Sequence, residues 1–172
     1  MTWKVLAICG SFGRQSSNLK LLQTAVGLAP ETLELILFDG LRHLPLFDPD
    51  TVAINPLPSA VQRWKEAIAE CDAVLIASPE YGHSIPGGLK NGLDWLFNSG
   101  EFSQKIVVLT AAVVRPDQGK RGLAALRQTL EAADARVVYD ATILKSEQFH
   151  EEISDLLDIF LEALAFYKRI KR

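Results

Sequence analysis

The 172-residue sequence is poor in cysteine and has no large excess of charge of either sign, and each shortage excludes a class of protein. The two cysteines, Cys9 and Cys71, are too few for a disulfide framework and favour a reducing, cytoplasmic location. A formal net charge of −3 gives no excess of Lys and Arg to hold a nucleic acid or an anionic membrane. We therefore expect neither of these partners.

Long apolar runs and grouped metal ligands are also missing. No apolar stretch approaches the roughly 18 residues that a membrane span needs, and the N-terminal apolar stretch is too short for a signal peptide. His43, His83 and His150 lie far apart, without Cys or His neighbours at ligand spacing. The sequence therefore predicts no membrane segment and no metal site.

Apolar residues are plentiful, at 48% of the chain, which is enough for one domain over residues 1–172 with its own core. Short β-rich apolar runs occupy residues 3–9, 33–38, 73–78, 105–113 and 135–144. Helical patterns lie between and after them, at residues 18–28, 59–70, 88–97, 119–133 and about 150–168. The apolar runs are nearly continuous rather than alternating, which is typical of strands covered on both faces.

Strands that alternate with helices predict an α/β fold with right-handed crossovers. We expect a doubly wound, five-stranded parallel sheet in the order 2-1-3-4-5, with helices on both faces. The last helix carries an apolar stripe that either packs on the sheet or forms a subunit interface. The Pro-rich connection at residues 39–58 is long for a plain connector, which is typical of a loop that is functional or covers an interface.

The loop after the first predicted strand, GSFGRQSSN at residues 10–18, is rich in groups that bind anions. Hydroxyl and amide groups come from its serines and asparagine, a fixed positive charge comes from its arginine, and a helix follows directly. This combination predicts a phosphate site, and the alternative is that Ser16 or Ser17 simply caps the helix. The donors in question are Ser11, Arg14, Ser16, Ser17 and Asn18.

A small cysteine phosphatase is a second interpretation of this loop, because Cys9 precedes Arg14 between a strand and a helix. That signature needs one residue more between cysteine and arginine than the four present here. The shorter spacing would misplace the arginine relative to the nucleophile.

The loop after the third predicted strand, SPEYGHSIPGG at residues 78–88, forms a rigid corner beside the first loop. Its exposed backbone at residues 80–84 and the ring of Tyr81 suit a flat heteroaromatic ring whose phosphate rests on residues 11–18. The alternatives are a plain turn in which Glu80 is solvated or caps a helix, and an acid/base pair of Glu80 with His83.

These two loops resemble the motifs of the NADPH-dependent FMN reductase family of flavodoxin-like proteins. The first family pattern, G-S-x-R-x-x-S-x-N, is matched by Gly10, Ser11, Ser16 and Asn18. The second, P-E-Y-N-x-S-x-P-G-x-L-K-N-x-x-D-W, is matched at every specified position but one, by Pro79, Glu80, Tyr81, Ser84, Pro86, Gly87, Leu89, Lys90, Asn91, Asp94 and Trp95.

The resemblance implies bound FMN that takes a hydride from NADPH and passes electrons to a small acceptor such as a quinone, an azo compound, a metal oxyanion or a flavin. It also implies a homodimer or homotetramer. On this interpretation the five donors of the first loop hold the phosphate. The flavin ring edge would lie against Pro79, Glu80, Tyr81, Gly82, His83 and Ser84.

The sequence departs from the family motifs at two positions. Gly13 stands where the family arginine falls, and Arg14 comes one residue later; Gly82 replaces the asparagine of P-E-Y-N. The third loop, within residues 110–122, also differs, because its glycines are displaced toward the following helix relative to those of the family. Two other functions stay open: an FMN electron carrier without NADPH turnover, and a non-catalytic interaction protein on the same fold.

Overall fold

The computed structural model describes residues 2–52 and 56–170, which are organised around a parallel β-sheet. The strands are β1 (Trp3–Cys9), β2 (Leu33–Phe38), β3 (Ala73–Ala77), β4 (Ile106–Val113) and β5 (Arg136–Leu144). Their order across the sheet is β2-β1-β3-β4-β5, as predicted. Because β1 lies between β2 and β3, the winding direction reverses there, and the loops after β1 and β3 open onto one crevice.

Helices cover both faces of this sheet. They are α1 (Ser17–Leu28), α2 (Pro49–Val52), α3 (Ser59–Glu70), α4 (Gly87–Asp94), α5 (Lys120–Ala132) and α6 (Phe149–Ile170). Side chains of α1 and α6 pack into one core, and those of α3, α4 and α5 pack into the other. All five residues of β3 are buried, which explains why this strand is an uninterrupted apolar run.

The apolar stripe of the last helix belongs to the core. Ile153, Leu156 and Phe160 are buried in the cluster that α6 shares with α1 and the sheet. Phe166 lies outside this stripe and is 58% exposed. Core packing of the stripe is therefore confirmed, and a subunit contact around Phe166 stays a prediction.

The Pro-rich connection contains local structure that the sequence did not predict. A 3₁₀ helix covers Gly40–His43 and α2 covers Pro49–Val52, while residues 53–55 lie outside the described part of the chain. The helix predicted at residues 88–97 ends earlier, at Asp94, and tighter turns follow it. No helix within residues 2–52 and 56–170 has the length and apolar character needed to cross a membrane.

Candidate active site at the carboxyl ends of the strands

The N-terminus of α1 presents free donors to the first loop. The Oγ of Ser16 accepts a hydrogen bond from the N–H of Leu19 at 3.3 Å, so Ser16 is the helix cap that the alternative interpretation described. In the described part of the chain, the N–H groups of Ser17 and Asn18 have no hydrogen-bond partner. These two groups and the positive end of the helix dipole remain available to an anion.

The other two donors of the first loop lie toward β2. The Oγ of Ser11 accepts a hydrogen bond from the N–H of Gly13 at 3.4 Å. Arg14 lines a cavity of about 360 Å³ beside the end of β2, together with Cys9 and Arg42. Within residues 2–52 and 56–170, the Arg14 guanidinium has no hydrogen bond or ion pair, so it is free to bind a phosphate group.

The geometry of Cys9 argues against a phosphatase. The Cys9 thiol is half-buried and donates a hydrogen bond to the carbonyl oxygen of Ser11 at 3.4 Å. Burial raises the pKa of the Cys9 thiol, which keeps it protonated at neutral pH. Nucleophilic cysteines need the opposite shift, because the thiolate is the reacting species.

The corner after β3 is a tight two-residue turn. The N–H of Tyr81 donates to the carbonyl oxygen of Ser84 at 2.9 Å, and the N–H of Ser84 donates to that of Tyr81 at 3.0 Å. Gly82 and His83, the two residues between them, have φ angles of 56° and 62°. Glycine and asparagine both adopt this left-handed conformation readily, so Gly82 preserves the backbone shape that an asparagine would have there.

This turn corrects the expectation that the whole backbone of residues 80–84 is exposed for binding. The N–H groups of Tyr81 and Ser84 are occupied by each other's carbonyl oxygens, so the N–H groups at the tip that have no partner within the described residues belong to Gly82 and His83. The Tyr81 side chain is 57% exposed, which leaves its ring available for contact with a flat ligand.

Glu80 directs its carboxylate toward α5. Its Oε2 accepts a hydrogen bond from the N–H of Gly122 at 2.9 Å, and its Oε1 lies 3.0 Å from Nδ1 of His83. The hydrogen bond with His83 and then the bond with Gly122 lower the pKa of Glu80, which is therefore ionised at neutral pH. The Glu80–His83 pair thus forms, but an ionised carboxylate cannot serve as a general acid.

The side chain of Asn18 also makes a hydrogen bond within the protein. The side chain is buried, and its Oδ1 accepts a hydrogen bond from the N–H of Ala112 at 2.9 Å. This bond joins the start of α1 to the end of β4. A contact between Asn18 and phosphate remains available only through its backbone N–H and its side-chain Nδ2.

A crevice of about 270 Å³ lies where the loops after β1, β3 and β4 meet. Ser17, Pro79 and Glu80 line it, as predicted from the first and second loops. Its other lining residues were not assigned one by one from the sequence. Lys145 was missed altogether, and the rest lie in the third loop, within residues 110–122: Ala111, Ala112, Val113, Val114, Gln118 and Gly119. Among the residues described here, no three His, Cys, Asp or Glu side chains are grouped as ligands for a metal ion.

One signal for the third-loop residues was present in the sequence. Gly119 has a φ of 82° and directly precedes α5, so the glycine at the start of the helix predicted at residues 119–133 marked the end of the third loop. The Oε1 of Gln118 accepts hydrogen bonds from the N–H groups of Val114 and Arg115, which holds this loop together. Lys145 had no local signal, because only the pairing of β4 with β5 brings it to the crevice.

Comparison with known proteins places the chain in a family. Residues 3–150 match the family described as NADPH-dependent FMN reductase. An NAD(P)H-dependent FMN reductase from Pseudomonas aeruginosa is 40% identical over 137 residues, which cover 76% of this chain and 71% of that protein. A quinone reductase from Escherichia coli strain K12 is 32% identical over 137 residues, which cover 78% of this chain and 73% of that protein.

A solved structure shows the same fold. The flavoenzyme NAD(P)H:(acceptor) oxidoreductase FerB from Paracoccus denitrificans aligns with a TM-score of 0.80, over 95% of this chain and 98% of that chain, at 22% identity. The family match covers all three loops of the crevice and all five strands. On this evidence, the chain belongs to the NADPH-dependent FMN reductase family and is an FMN-dependent oxidoreductase.

Proposed function

We propose that this reductase passes electrons from NAD(P)H to a small quinone-like acceptor in the crevice at the ends of β1, β3 and β4. Relatives named FMN reductase and quinone reductase support an acceptor of this chemical class. Bound FMN supplies the hydride and electron chemistry, so the side chains of the protein have to bind, orient and enclose the cofactor and the acceptor rather than react with them.

The observation that carries the proposal is the set of free donors at the start of α1. The N–H groups of Ser17 and Asn18 lack partners in the described chain, whereas the Ser16 hydroxyl caps α1 and lies 3.9 Å from the Cys9 sulfur. The Arg14 guanidinium, also unpaired within the described residues, lines the cavity beside β2 that the same loop borders. A phosphate monoester carries up to two negative charges and several acceptor oxygens, so it fits this donor set.

The second loop would hold the ring end of the cofactor. Pro79 lines the crevice, the Tyr81 ring is exposed beside it, and the tip of the turn offers the N–H groups of Gly82 and His83. Ser84 adds a hydroxyl that makes no hydrogen bond within the described residues. A planar ring with polar edges can rest on this apolar surface while its edge accepts hydrogen bonds from the turn.

We also propose that the protein acts in the cytoplasm as a homodimer or homotetramer. The two cysteines are unpaired, as expected in a reducing compartment. Phe12 in the first loop and Leu46 on the Pro-rich connection are exposed apolar side chains, and a second subunit would cover them. Light scattering on the purified protein measures the number of subunits.

The proposed function is tested by spectroscopy and turnover on the purified protein reconstituted with FMN. We expect the flavin absorbance in the blue to bleach when NADPH is added without oxygen, and to return when a benzoquinone is added. Under steady-state conditions, NADPH oxidation should depend on the quinone concentration.

Two other results would contradict the proposal. Bound flavin that NADPH does not bleach would favour an electron carrier. Protein that binds no FMN under any reconstitution condition would favour an interaction protein on the same fold.

A further inference from the structure

We propose that Glu80 is a positioning residue that joins the corner after β3 to the N-terminus of α5, and thereby sets the shape of the crevice. It acts through Gly122 and His83 rather than by holding the cofactor with its carboxylate. This inference rests on the proposed function for its effect on cofactor binding. The contact between Glu80 and Gly122 does not depend on any ligand.

Both carboxylate oxygens of Glu80 have partners within the protein. One oxygen accepts from the N–H of Gly122 at 2.9 Å, and the other lies 3.0 Å from the His83 ring nitrogen. The Glu80 side chain is only 20% exposed, whereas that of His83 is 69% exposed. Glu80 therefore links the exposed turn at the tip of the corner to a helix that starts 40 residues later in the chain.

Glu80 supplies the cap that α5 lacks. The residue before this helix is Gly119, which has no side chain to accept a hydrogen bond from the first turn. The N–H of Gly122 is one of the donors that every helix start leaves without an intrahelical partner, and a negatively charged acceptor is stabilising there. A cap that comes from a distant loop stabilises the helix and also fixes the distance between the two elements.

Close packing against Glu80 explains why position 122 is a glycine. A Cβ built on Gly122 would lie 2.9 Å from the Cβ and 3.0 Å from the Cα of Glu80. Glycine inside a helix costs about 1 kcal/mol relative to alanine, so its presence in the first turn of α5 calls for a packing reason. The backbone of the corner is that reason, because a Cβ here would push the corner away from the helix.

Three variants test the positioning role. Glu80→Ala removes the acceptor, Glu80→Gln keeps an oxygen that can accept from Gly122, and Gly122→Ala pushes the corner away without changing Glu80. Glu131→Ala is the matched control, because Glu131 also lies on α5 and pairs with Arg127 at the other end of the helix. Each variant is first checked by circular dichroism to confirm that it is folded.

The first measurement needs no cofactor. Hydrogen exchange of the Gly122 amide, followed by NMR, should be about tenfold or more faster in Glu80→Ala than in the wild type, because a bond to a charged acceptor is lost. The Glu80→Gln variant and the control should retain most of the protection. Equal protection in Glu80→Ala and the wild type would overturn the proposed contact, whether or not the protein binds FMN.

The second measurement is FMN affinity, by quenching of flavin fluorescence. We expect Glu80→Ala and Gly122→Ala to weaken binding by about tenfold, while Glu80→Gln stays within about threefold of the wild type. Equal losses in Glu80→Ala and Glu80→Gln would mean that the negative charge itself contacts the ligand, and would overturn the positioning role. A wild type that binds no FMN would contradict the proposed function but leave the exchange result standing.

Discussion

At the scale of single residues, the site is defined by which polar atoms are still free once the chain has folded. Ser16, Asn18 and Glu80 all carry oxygens that a ligand could use, yet each gives at least one oxygen to a backbone N–H of the protein. Arg14 and the N–H groups at the start of α1 have no such partner in the described chain. We therefore expect these free groups to make the largest direct contribution to phosphate binding.

Replacement of Arg14 tests this expectation. Arg14→Ala should weaken FMN binding by about 10- to 100-fold, because a hydrogen bond to a charged group contributes about 1.5–3 kcal/mol. Titration calorimetry gives the affinity. Arg63→Ala is the control, since Arg63 is an exposed arginine on α3, far along the chain from the first loop. Unchanged FMN affinity in Arg14→Ala would remove this residue from the phosphate site.

Position 82 tests the conformation of the second loop. Its φ of 56° is accessible to asparagine but strained for a β-branched residue. Gly82→Asn should therefore keep stability within about 0.5 kcal/mol of the wild type, whereas Gly82→Val should destabilise by about 1–2 kcal/mol. Urea denaturation measures both. Equal stability of the two variants would show that the turn has a different backbone conformation in solution.

At the scale of secondary-structure elements, the second half of the longer motif has a structural role. Asn91 accepts a hydrogen bond from the N–H of Phe47 at 2.8 Å and donates one to the carbonyl oxygen of Pro45 at 2.9 Å. The indole N–H of Trp95 donates to the same carbonyl oxygen at 2.9 Å. The motif residues Asn91, on α4, and Trp95, directly after it, thus hold the Pro-rich connection against the helix.

Loss of this attachment should loosen the connection. Asn91→Ala leaves the N–H of Phe47 without its acceptor, so we expect a loss of about 1–3 kcal/mol in the free energy of unfolding. Limited proteolysis should then cut within residues 39–58 faster than in the wild type. The matched control is Asn98→Ala, because Asn98 is exposed and makes no hydrogen bond in the described chain. Similar cleavage rates in both variants would contradict the attachment.

At the scale of the whole molecule, two carboxylates make stability depend on pH. Hydrogen bonds lower the pKa of Glu80, mainly from His83, and the pKa of Asp134, mainly from Gln104. A lowered pKa in the folded state means that the stabilisation is present above the unfolded pKa and is lost as pH falls through the folded pKa. Acid should therefore destabilise the protein below about pH 4.3.

Thermal melting between pH 3 and pH 7 measures this dependence. We expect the melting temperature of the wild type to fall at the acid end, and to fall less steeply in Glu80→Gln, which has no carboxylate to protonate at that position. Parallel curves for the two proteins would show that Glu80 does not contribute to the acid sensitivity.

Ligand binding should raise the stability of the whole fold. A ligand present at a hundred times its dissociation constant adds about 2.7 kcal/mol to the free energy of unfolding, provided that it binds only the folded state. Riboflavin lacks the phosphate, so at equal concentration it should raise the melting temperature less than FMN does. Equal shifts with the two compounds would mean that the first loop does not bind phosphate.

The sequence by itself determined the alternation of strands and helices, the sheet order and the two loops that line the crevice. These features depend on local periodicity and on residues that are neighbours in the chain, such as the donors that precede α1. The boundaries of α4 and the short helices in the Pro-rich connection were not predicted, because they depend on contacts such as that of Asn91 with Pro45.

Only the tertiary structure decided which atoms of the candidate site are free. Asn18 is hydrogen-bonded to Ala112, which lies 94 residues later in the chain, and Glu80 is hydrogen-bonded to Gly122, which lies 42 residues later. Lys145 reaches the crevice because β5 pairs with β4, and Arg14 lies on the side of β2. The sequence records which polar groups exist, but the packing of the strands sets the distances between loops, and those distances determine whether an oxygen binds the protein itself or is left for a ligand.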